Sequence, residues 1–331
     1  MAEFSIIDQF CRDIGPKHSS TKLDIGDDAA VIRPDHGSEL AISVDTMVSG
    51  VHFFEDVRPE RLAHKILAVN LSDMAGMGAS PKWATLALTL PKADPEWLSA
   101  FSSGLKKTAK RFGLQLIGGD TTQGPLSLSL TIIGTLPLSK ALVRSGAKIG
   151  DEVYVTNTLG DAALGLALLS GKFELSPLNR AHAIDALETP EPRNEFGQSL
   201  LDIATGCLDI SDGLIGDIAH ICEQSSVSTE IDLDCLPLSS AYQEYIELNK
   251  LDPKSVSALN YALNGGDDYE LAFTAAPEDA AKVFNRADEC GLSVTKVGQV
   301  IEQESHKVYL SCNGARLNLE SGDIKSFEHF S

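Results

Sequence analysis

A carboxylate interrupts an apolar helix stripe in the first quarter of the chain. Leu62, Ile66 and Val69 follow one another at spacings of four and three, which places them on one helix face. The next position on that face is Asp73, within the segment Asn70–Gly78. Burying an ionised carboxylate is costly unless a cation, strong hydrogen bonds or a raised pKa accommodates it. We therefore predict that Asp73 meets one of these three conditions.

Further acids follow apolar runs or stand beside glycine, where a strand stops and a tight turn begins. They are Asp27, Asp28, Asp45, Asp120, Asp209, Asp212, Asp267 and Asp268. If these ends converge, many carboxylates share one cleft, and hard divalent cations relieve their repulsion. Magnesium joins carboxylates to substrate phosphates, so the pattern indicates a nucleotide. The alternative for many acids is a solvated surface position.

The elements that position these acids follow from local patterns. The run that ends at Asp45 alternates weakly, which favours a strand buried on both faces. At period two, Ser43 and Asp45 point the same way, so one metal could contact both. The segment Gly118–Thr122 predicts a turn between two strands, of which the second, Leu126–Leu136, alternates between apolar and hydroxyl side chains.

A strand, turn and helix are predicted around residue 210. Cys207–Ile210 reads as a short strand, and the apolar spacing from Leu214 onward predicts a helix with Asp212 at its N-cap. A helix N-terminus presents free backbone N–H groups that favour an anion. The alternative is that the acids of this turn are simple caps.

Length and element order predict two domains. A chain of 331 residues exceeds one comfortable core, and Pro137–Gly150 has the composition of a linker. We predict domains at 1–138 and at 139–331. Helices and strands alternate irregularly in both, which predicts an α/β (α+β) fold.

Composition limits the partners. The formal net charge of −20 argues against non-specific nucleic-acid binding and against docking on anionic membranes. No apolar run is long enough to span a membrane, and Met1–Phe4 lacks the features of a signal peptide. The six cysteines form no C-x-x-C pair and are predicted to be reduced and mostly buried. A cytoplasmic enzyme is expected.

Two basic side chains remain ambiguous. His52 lies beside aromatic residues directly after the acid-bearing strand, and is either a structural group or a substrate contact. Arg144 is either in a surface salt bridge or binds phosphate through its guanidinium. Because no G-x-x-x-x-G-K-[ST] motif and no kinase H-R-D or D-F-G motif occurs, a nucleotide would be bound through acids and metals.

Six motifs in order resemble those of the thiamine-monophosphate kinase family. They are Gly26-Asp27-Asp28, Ser43-Val44-Asp45-Thr46, Asn70-Leu71-Ser72-Asp73-Met74, Gly118-Gly119-Asp120-Thr121, Asp209-Ile210-Ser211-Asp212-Gly213-Leu214 and Gly265-Gly266-Asp267-Asp268-Tyr269-Glu270-Leu271. Each motif alone is weak, but together they cover the chain from about Glu3 to Phe330. That family belongs to the aminoimidazole ribonucleotide synthetase superfamily.

The resemblance implies a fold and a reaction. The fold would have an N-terminal mixed sheet with helices and a C-terminal α/β domain. The N-terminal domain, 1–138, would bind metal and nucleotide and would pair through its sheet with a second copy in a homodimer. ATP would phosphorylate thiamine monophosphate to thiamine diphosphate by direct in-line transfer with several Mg²⁺ ions and no phosphoenzyme. No residue would act as a catalytic base, because the attacking phosphate oxygen is already anionic.

The resemblance also implies site residues. The expected metal ligands are Asp28, Ser43, Val44, Asp45, Asp73, Asp120, Asp209 and Asp212. The expected nucleotide contacts are Gly119, Asp120, Arg144 and Ser211, and the thiamine-phosphate contacts are His52, Asp267 and Phe327.

Three positions depart from the family pattern. Val44 stands where threonine is common, so only its backbone carbonyl could reach a metal. Asp267 is shorter than the common glutamate, and Phe327 keeps stacking but lacks the polar atom of Tyr or Trp.

Other classes remain as alternatives. Selenophosphate synthetase would need a reactive residue in a glycine-rich loop, whereas Cys11 lies in a helical pattern. A hydrogenase-maturation relative would need a C-terminal Cys, and position 331 is Ser. The purine-pathway synthetase fits Asp267–Leu271 less well. A non-catalytic cation-binding scaffold would need loops like EF-hands, and no such motif occurs.

Overall fold

The computed structural model describes residues 3–317, which divide into two compact units. The first unit comprises the chain through Met74 together with Ala79–Ala141. The second comprises Ala75–Gly78 and the chain from Leu142 onward. The change of unit after Ala141 lies close to the predicted division at 138, but the short segment Ala75–Gly78 belongs to the second unit. The functions predicted for the two domains stay predictions.

The first unit is a four-stranded mixed sheet with two long helices. Its elements are α1 (Glu3–Ile6), a π-helical turn (Ile7–Cys11), β1 (Thr21–Leu23), β2 (Val31–Ile32), β3 (Ser38–Val48), α2 (Pro59–Gly76), β4 (Ser80–Leu90), α3 (Pro95–Phe112), β5 (Gln115–Gln123) and β6 (Ser127–Pro137). The sheet order is β3-β6-β4-β5, and only the β4–β5 pairing is parallel within this sheet.

The two faces of this sheet differ in burial. Leu128, Leu130 and Ile132 of β6 are fully buried, as their alternation predicts. The expectation that β3 is buried on both faces is wrong, because Ile42 and Val44 are 64% and 60% exposed. One face of β3 is thus covered and the other is open.

The predicted turn at Gly118–Thr122 is also wrong. These residues continue β5, where Asp120 pairs with Ala87 of β4. The parallel ladder with β4 supplies the backbone hydrogen bonds that the glycines alone would not secure, so pairing overrides local turn composition. Likewise, β3 continues past Asp45 to Val48.

The second unit is a seven-stranded mixed sheet with helices. Its elements are β7 (Glu152–Thr156), α4 (Asp161–Leu169), α5 (Pro177–Glu188), α6 (Asn194–Ser199), β8 (Ala204–Asp209), α7 (Leu214–Ser225), β9 (Ser228–Asp232), a 3-10 turn (Leu233–Cys235), α8 (Ser240–Leu248), α9 (Asn260–Asn264), β10 (Leu271–Ala275), a 3-10 turn (Pro277–Asp279), α10 (Ala280–Cys290), β11 (Val294–Ile301), β12 (Val308–Cys312) and β13 (Ala315–Arg316). The strand order is β13-β12-β9-β11-β7-β10-β8.

The inner face of α7 anchors the core of this unit. Leu214, Ile218 and Ile221 are at most 1% exposed and pack with Val155 and Ala272 of neighbouring strands. Burying such side chains contributes roughly 1.5–3 kcal/mol each. The helix face predicted from their spacing is therefore the face that holds α7 against the sheet.

All six cysteines are free thiols. Only Cys207 and Cys222 are buried, so the expectation of mostly buried thiols is wrong. Within residues 3–317, no helix is both long and apolar enough to cross a membrane.

Candidate active site

Asp73 meets two other predicted ligands in the first unit. Ser43 Oγ donates a 2.5 Å hydrogen bond to Asp73 Oδ2, and the Asp45 carboxyl is hydrogen-bonded to the Asp73 carboxyl. Burial, the Asp73 charge and this hydrogen bond raise the pKa of Asp45 to about 7. Ser43 and Asp45 share one face of β3, and the apolar stripe of α2 carries Asp73, so these three side chains meet.

This group has the donor chemistry of a divalent-cation site. Two carboxyls that share a proton offer hard oxygen ligands, and a cation in the proton's place would neutralise both. Asn70 lies three residues before Asp73, on the same side of α2. Its fully buried Oδ1 has no hydrogen-bond partner among the described residues. A cation or a water would satisfy that oxygen, so these residues fit a metal.

Val44 points away from this group. Side chains alternate along β3, and Val44 lies on the open face, whereas Ser43 and Asp45 face the covered one. The side chain of Val44 therefore cannot ligate a metal together with Asp45.

A cleft of about 660 Å³ collects another set of predicted residues. The loop Gly26–Ala30 and the strand segment Gly118–Thr121 line it, so Asp28, Gly119 and Asp120 share one cavity. The lining also includes the apolar residues Ile25, Leu88 and Leu116. Its size and mixed lining suit a small-molecule ligand.

Gly119 is required by close packing in this cleft. Its φ is +152°, and a Cβ built there would lie 1.9 Å from the carbonyl oxygen of Leu86. No other residue fits without separating β5 from β4.

Arg12 is a cleft residue that sequence reasoning missed. Its Nη1 donates to the Ile25 carbonyl at 2.9 Å, and its Nε donates to Asp8 at 2.7 Å. The guanidinium thus holds the backbone at Ile25, just before Gly26. Its position after the first helical pattern gave no signal of this role.

The sheet register separates Asp120 from Asp45. Across the sheet, Asp120 is in register with Ala87, Ser129 and Thr46, and Thr46 is the residue after Asp45 on β3. Side chains in register across a sheet point to the same face, and side chains of consecutive residues point to opposite faces. Asp120 and Asp45 therefore point to opposite faces. Within residues 3–317, no group of three or more His, Cys, Asp or Glu side chains is arranged to hold a metal.

His52 is fixed by its own loop. Its Nδ1 accepts the backbone N–H of Val48 at 3.0 Å, which leaves the proton of the neutral ring on Nε2. The ammonium of Lys65, which is 4% exposed, donates to the His52 carbonyl at 3.4 Å. This half-buried imidazole has a set orientation.

In the second unit, Asp209 ends β8, and Ser211 and Asp212 lie in the turn between β8 and α7. The helix begins at Leu214 with Gly213 at the N-cap, so the prediction of Asp212 as N-cap is wrong. The prediction of free backbone N–H groups is also wrong. The N–H groups of the turn donate to Asp217, at 3.0 Å from Ser211, 3.0 Å from Asp212 and 3.1 Å from Gly213.

Asp217 is a second residue that sequence reasoning missed. It stands three residues after Leu214 on the buried face of α7, and that apolar spacing is the signal that could have found it. Burial raises the pKa of Asp217 to about 6, while the backbone donors and the Arg144 charge oppose the rise. Arg144 is thus close enough to act on the turn that carries Ser211.

The loop that carries Asp267 packs against this turn. The Asp267 N–H donates to the Ser211 carbonyl at 2.9 Å, and the Tyr269 N–H donates to the Ile210 carbonyl at 2.8 Å. The Tyr269 hydroxyl donates to Asp267 Oδ1 at 2.8 Å, and Asp267 has a φ of +70°. Asp267 and Ser211 are therefore neighbours in fixed positions, whereas Phe327 lies outside the described residues.

Glu270 anchors the other end of that loop. Its carboxylate accepts from Arg193 Nε at 2.7 Å and from Thr156 Oγ1 at 2.5 Å, and it is 6% exposed. Beside it, Asp268 accepts the Gly160 N–H at 2.7 Å at the start of α4, and burial raises the pKa of Asp268. Two carboxylates, of which Glu270 is buried, thus hold the end of the loop that follows Asp267.

Both halves of the chain match known domain families. The sequence model of the AIR synthase related protein N-terminal domain matches residues 26–136, and that of the C-terminal domain matches residues 148–311. The chain is an AIR synthase related protein of two such domains.

Within this class, the chain is similar to curated and structurally characterised thiamine-monophosphate kinases. The chain is 44% identical to the thiamine-monophosphate kinase of Salmonella typhimurium over 90% of each chain. The crystal structure of the Stenotrophomonas maltophilia K279a thiamine-monophosphate kinase is 39% identical, with a TM-score of 0.84 and coverage of 94% and 96%. A structure of AaThiL complexed with AMPPCP and TMP is 30% identical, with a TM-score of 0.76 and coverage of 90% and 89%.

The chain belongs to the thiamine-monophosphate kinase family. The family that the six motifs predicted and the two-part α/β fold that it implied are both confirmed.

Proposed function

We propose that this protein transfers the γ-phosphoryl group of ATP to thiamine monophosphate, giving thiamine diphosphate and ADP, the last step of thiamine diphosphate biosynthesis. The similarity to thiamine-monophosphate kinases over nine-tenths of the chain carries the proposal. The neighbour bound to AMPPCP and TMP supports ATP as co-substrate. The sister enzymes and the cation-binding scaffold have no comparable support.

Several Mg²⁺ ions complete the proposed site. In the first unit, Asp45, Asp73 and Ser43 form one set of oxygen donors, with the Val44 carbonyl as a further donor, and Asp28 and Asp120 form another. Asp209 and Asp212 supply donors in the second unit. When bound, Mg²⁺ neutralises phosphate charge and links carboxylates to phosphate oxygens.

The chain's own residues position the two substrates. On the nucleotide side we place Gly119 and Asp120 of the cleft, together with Arg144 and Ser211, which supply a guanidinium and a hydroxyl suited to phosphate. On the thiamine-phosphate side we place His52 and Asp267, together with Phe327. Tyr269 and Val48 hold the Asp267 and His52 side chains before substrate arrives.

No side chain needs to act as a nucleophile or a general base. The attacking atom is an oxygen of thiamine monophosphate, which is already anionic at neutral pH. Direct in-line transfer then depends on positioning and charge neutralisation. This accounts for a site built from carboxylates without a covalent intermediate.

The open face of the N-terminal sheet suits a homodimer. Leu40, Ile42 and Val44 of β3 are 41%, 64% and 60% exposed, and an apolar strand face of this kind favours burial against a partner. We place a second copy of the chain on this face. Sedimentation of the purified protein at twice the 35.4 kDa of one chain would support the dimer.

Location follows from the reaction. ATP is available in the cytoplasm, and the six free thiols suit its reducing conditions. We place the enzyme there.

The decisive experiment is phosphorus NMR of the purified protein with ATP, Mg²⁺ and thiamine monophosphate. Resonances of thiamine diphosphate and ADP are expected to grow together. A folded protein that leaves both substrates unchanged would refute the assignment and direct attention to aminoimidazole-type substrates.

A further inference from the structure

Asp217 fills a backbone pocket that would otherwise bind an anion. Its side chain is 3% exposed, and a single oxygen, Oδ2, accepts three successive N–H groups of the β8–α7 turn. Successive amides at the start of a helix are a common site for phosphate. Here the carboxylate of the chain itself occupies it.

Three further backbone groups at this turn are also paired. The Ser211 and Ile210 carbonyls accept from Asp267 and Tyr269, and the Ile210 N–H donates to the Glu270 carbonyl at 2.7 Å. The turn offers an incoming ligand the side chains of Asp212, which is exposed, and of Ser211, which is half-buried. The turn therefore presents oxygen donors and negative charge to an incoming phosphate.

We propose that Asp217 is a positioning residue for phosphoryl transfer, which fixes the Ser211 and Asp212 side chains and makes nucleotide binding at this turn depend on a cation. The inference rests on the proposed kinase function. A phosphate that meets Asp212 without a cation is repelled, and it cannot reach amides that Asp217 already occupies.

Without the Asp217 carboxylate, Ser211 and Asp212 should no longer be fixed, and nucleotide binding at the turn should depend less on a cation. Asp217→Ala frees three amides, so the turn can bind a bare anion while losing the fixed positions of Ser211 and Asp212. Asp217→Asn keeps the shape with a weaker, neutral acceptor and should fall between the wild type and Asp217→Ala. Formate fits the space that alanine leaves and should restore the turn.

Asp151 offers a matched control. It is 4% exposed in the same unit, and its Oδ2 accepts the Lys148 N–H at 2.9 Å and the Thr205 hydroxyl at 2.6 Å. Asp151→Ala therefore also removes a buried, hydrogen-bonded carboxylate, but at a place with no assigned ligand.

The experiment compares full-length wild type, Asp217→Ala, Asp217→Asn and Asp151→Ala. Steady-state kinetics gives kcat and KM, and calorimetry gives the affinity for AMPPCP with Mg²⁺ and with EDTA. For Asp217→Ala we expect kcat to fall by about 100-fold, with little change in the KM for thiamine monophosphate. Affinity for AMPPCP in EDTA should rise above that of the wild type, and formate should recover part of kcat.

The proposal is overturned if Asp217→Ala leaves kcat unchanged, or if its affinity for AMPPCP in EDTA equals that of the wild type. It is also overturned if Asp151→Ala loses as much kcat at an equal loss of thermal stability. If Asp217→Ala fails to fold, kcat and the AMPPCP affinity in EDTA are measured on Asp217→Asn, and the same criteria apply. A wild-type protein that forms no thiamine diphosphate refutes the kinase function separately, and the EDTA comparison still tests the turn.

Discussion

The hydroxyl of Ser43 donates a 2.5 Å hydrogen bond to Asp73 Oδ2, which joins β3 to α2 in the first unit. Asp45, two residues along the same strand, is hydrogen-bonded to the same carboxyl group. A serine and two acids from two elements thus converge on one point. Their arrangement suits a cation better than it suits two ionised carboxylates in contact.

Asp73→Asn should lower kcat by at least about 100-fold. The amide keeps the shape of the side chain and its contact with Ser43, but removes one negative charge from the proposed ligand set. The measurement is steady-state formation of thiamine diphosphate, with circular dichroism to confirm folding. Asp35→Asn, in an exposed loop with no assigned role, is the control and should retain wild-type turnover. Near-normal turnover by Asp73→Asn would exclude Asp73 as a ligand.

Gly119→Ala should destabilise the protein by more than about 2 kcal/mol. The new Cβ would lie 1.9 Å from the Leu86 carbonyl oxygen, at a φ of +152° that a side chain disfavours. Urea unfolding measures the loss, and nucleotide titration should show weaker binding because the cleft is deformed.

Its neighbour in the same strand is a matched control. A Cβ on Gly118 would meet only the Thr85 methyl group, at an ordinary 3.6 Å. Gly118→Ala should therefore change stability by less than about 1 kcal/mol. Equal losses in the two variants would show that close packing at Gly119 is not the cause.

The direction of each side chain in the Asp45–Asp73 group was predictable, because it depends on two short periods. Period two on β3 aligns Ser43 with Asp45, and the helix stripe turns Asp73 inward. That the two elements meet was not predictable in this way, because Ser43 and Asp73 are 30 residues apart in the chain. The same reasoning fails at Gly118–Asp120. Glycine and aspartate favour turns locally, but pairing with β4 decides, and the distant partner strand is invisible to composition.

Asp217 shows a second limit of local reasoning. The N-cap rule considers the residue just before a helix, so it selected Asp212. The actual acceptor comes from within the helix and reaches back to three amides of the turn. Its place on the apolar face was visible, but what a buried carboxylate contacts depends on the folded turn.

Arg144→Ala should weaken AMPPCP binding by about tenfold, the effect of one charge-assisted hydrogen bond to phosphate. Arg144 is exposed, and its charge already acts on the turn of Ser211 through Asp217. Titration calorimetry with Mg²⁺ present gives the affinity. Lys148→Ala removes another exposed cation from the same connecting segment and should leave affinity unchanged. Unchanged affinity in Arg144→Ala would remove this residue from the nucleotide site.

His182 should make stability depend on pH above 6.5, its ordinary pKa. Its Nε2 lies 3.1 Å from Asp161 Oδ2, and this hydrogen bond, with the charges of Asp161 and Asp185, raises its pKa above the model-peptide value of 6.5 despite partial burial. The protonated form is therefore favoured by folding. Its stabilising effect is complete below pH 6.5 and is lost as the pH rises through the folded-state pKa.

The comparison is urea unfolding of wild type and His182→Gln over a pH series. His182 is half exposed, so solvent screening limits the effect to about 1 kcal/mol or less. The wild type should be the more stable protein at low pH, and its advantage should shrink as the pH rises, because the neutral imidazole no longer pairs with the Asp161 carboxylate. An advantage that stayed constant, or grew toward alkaline pH, would show that the contact of His182 with Asp161 is not an ion pair.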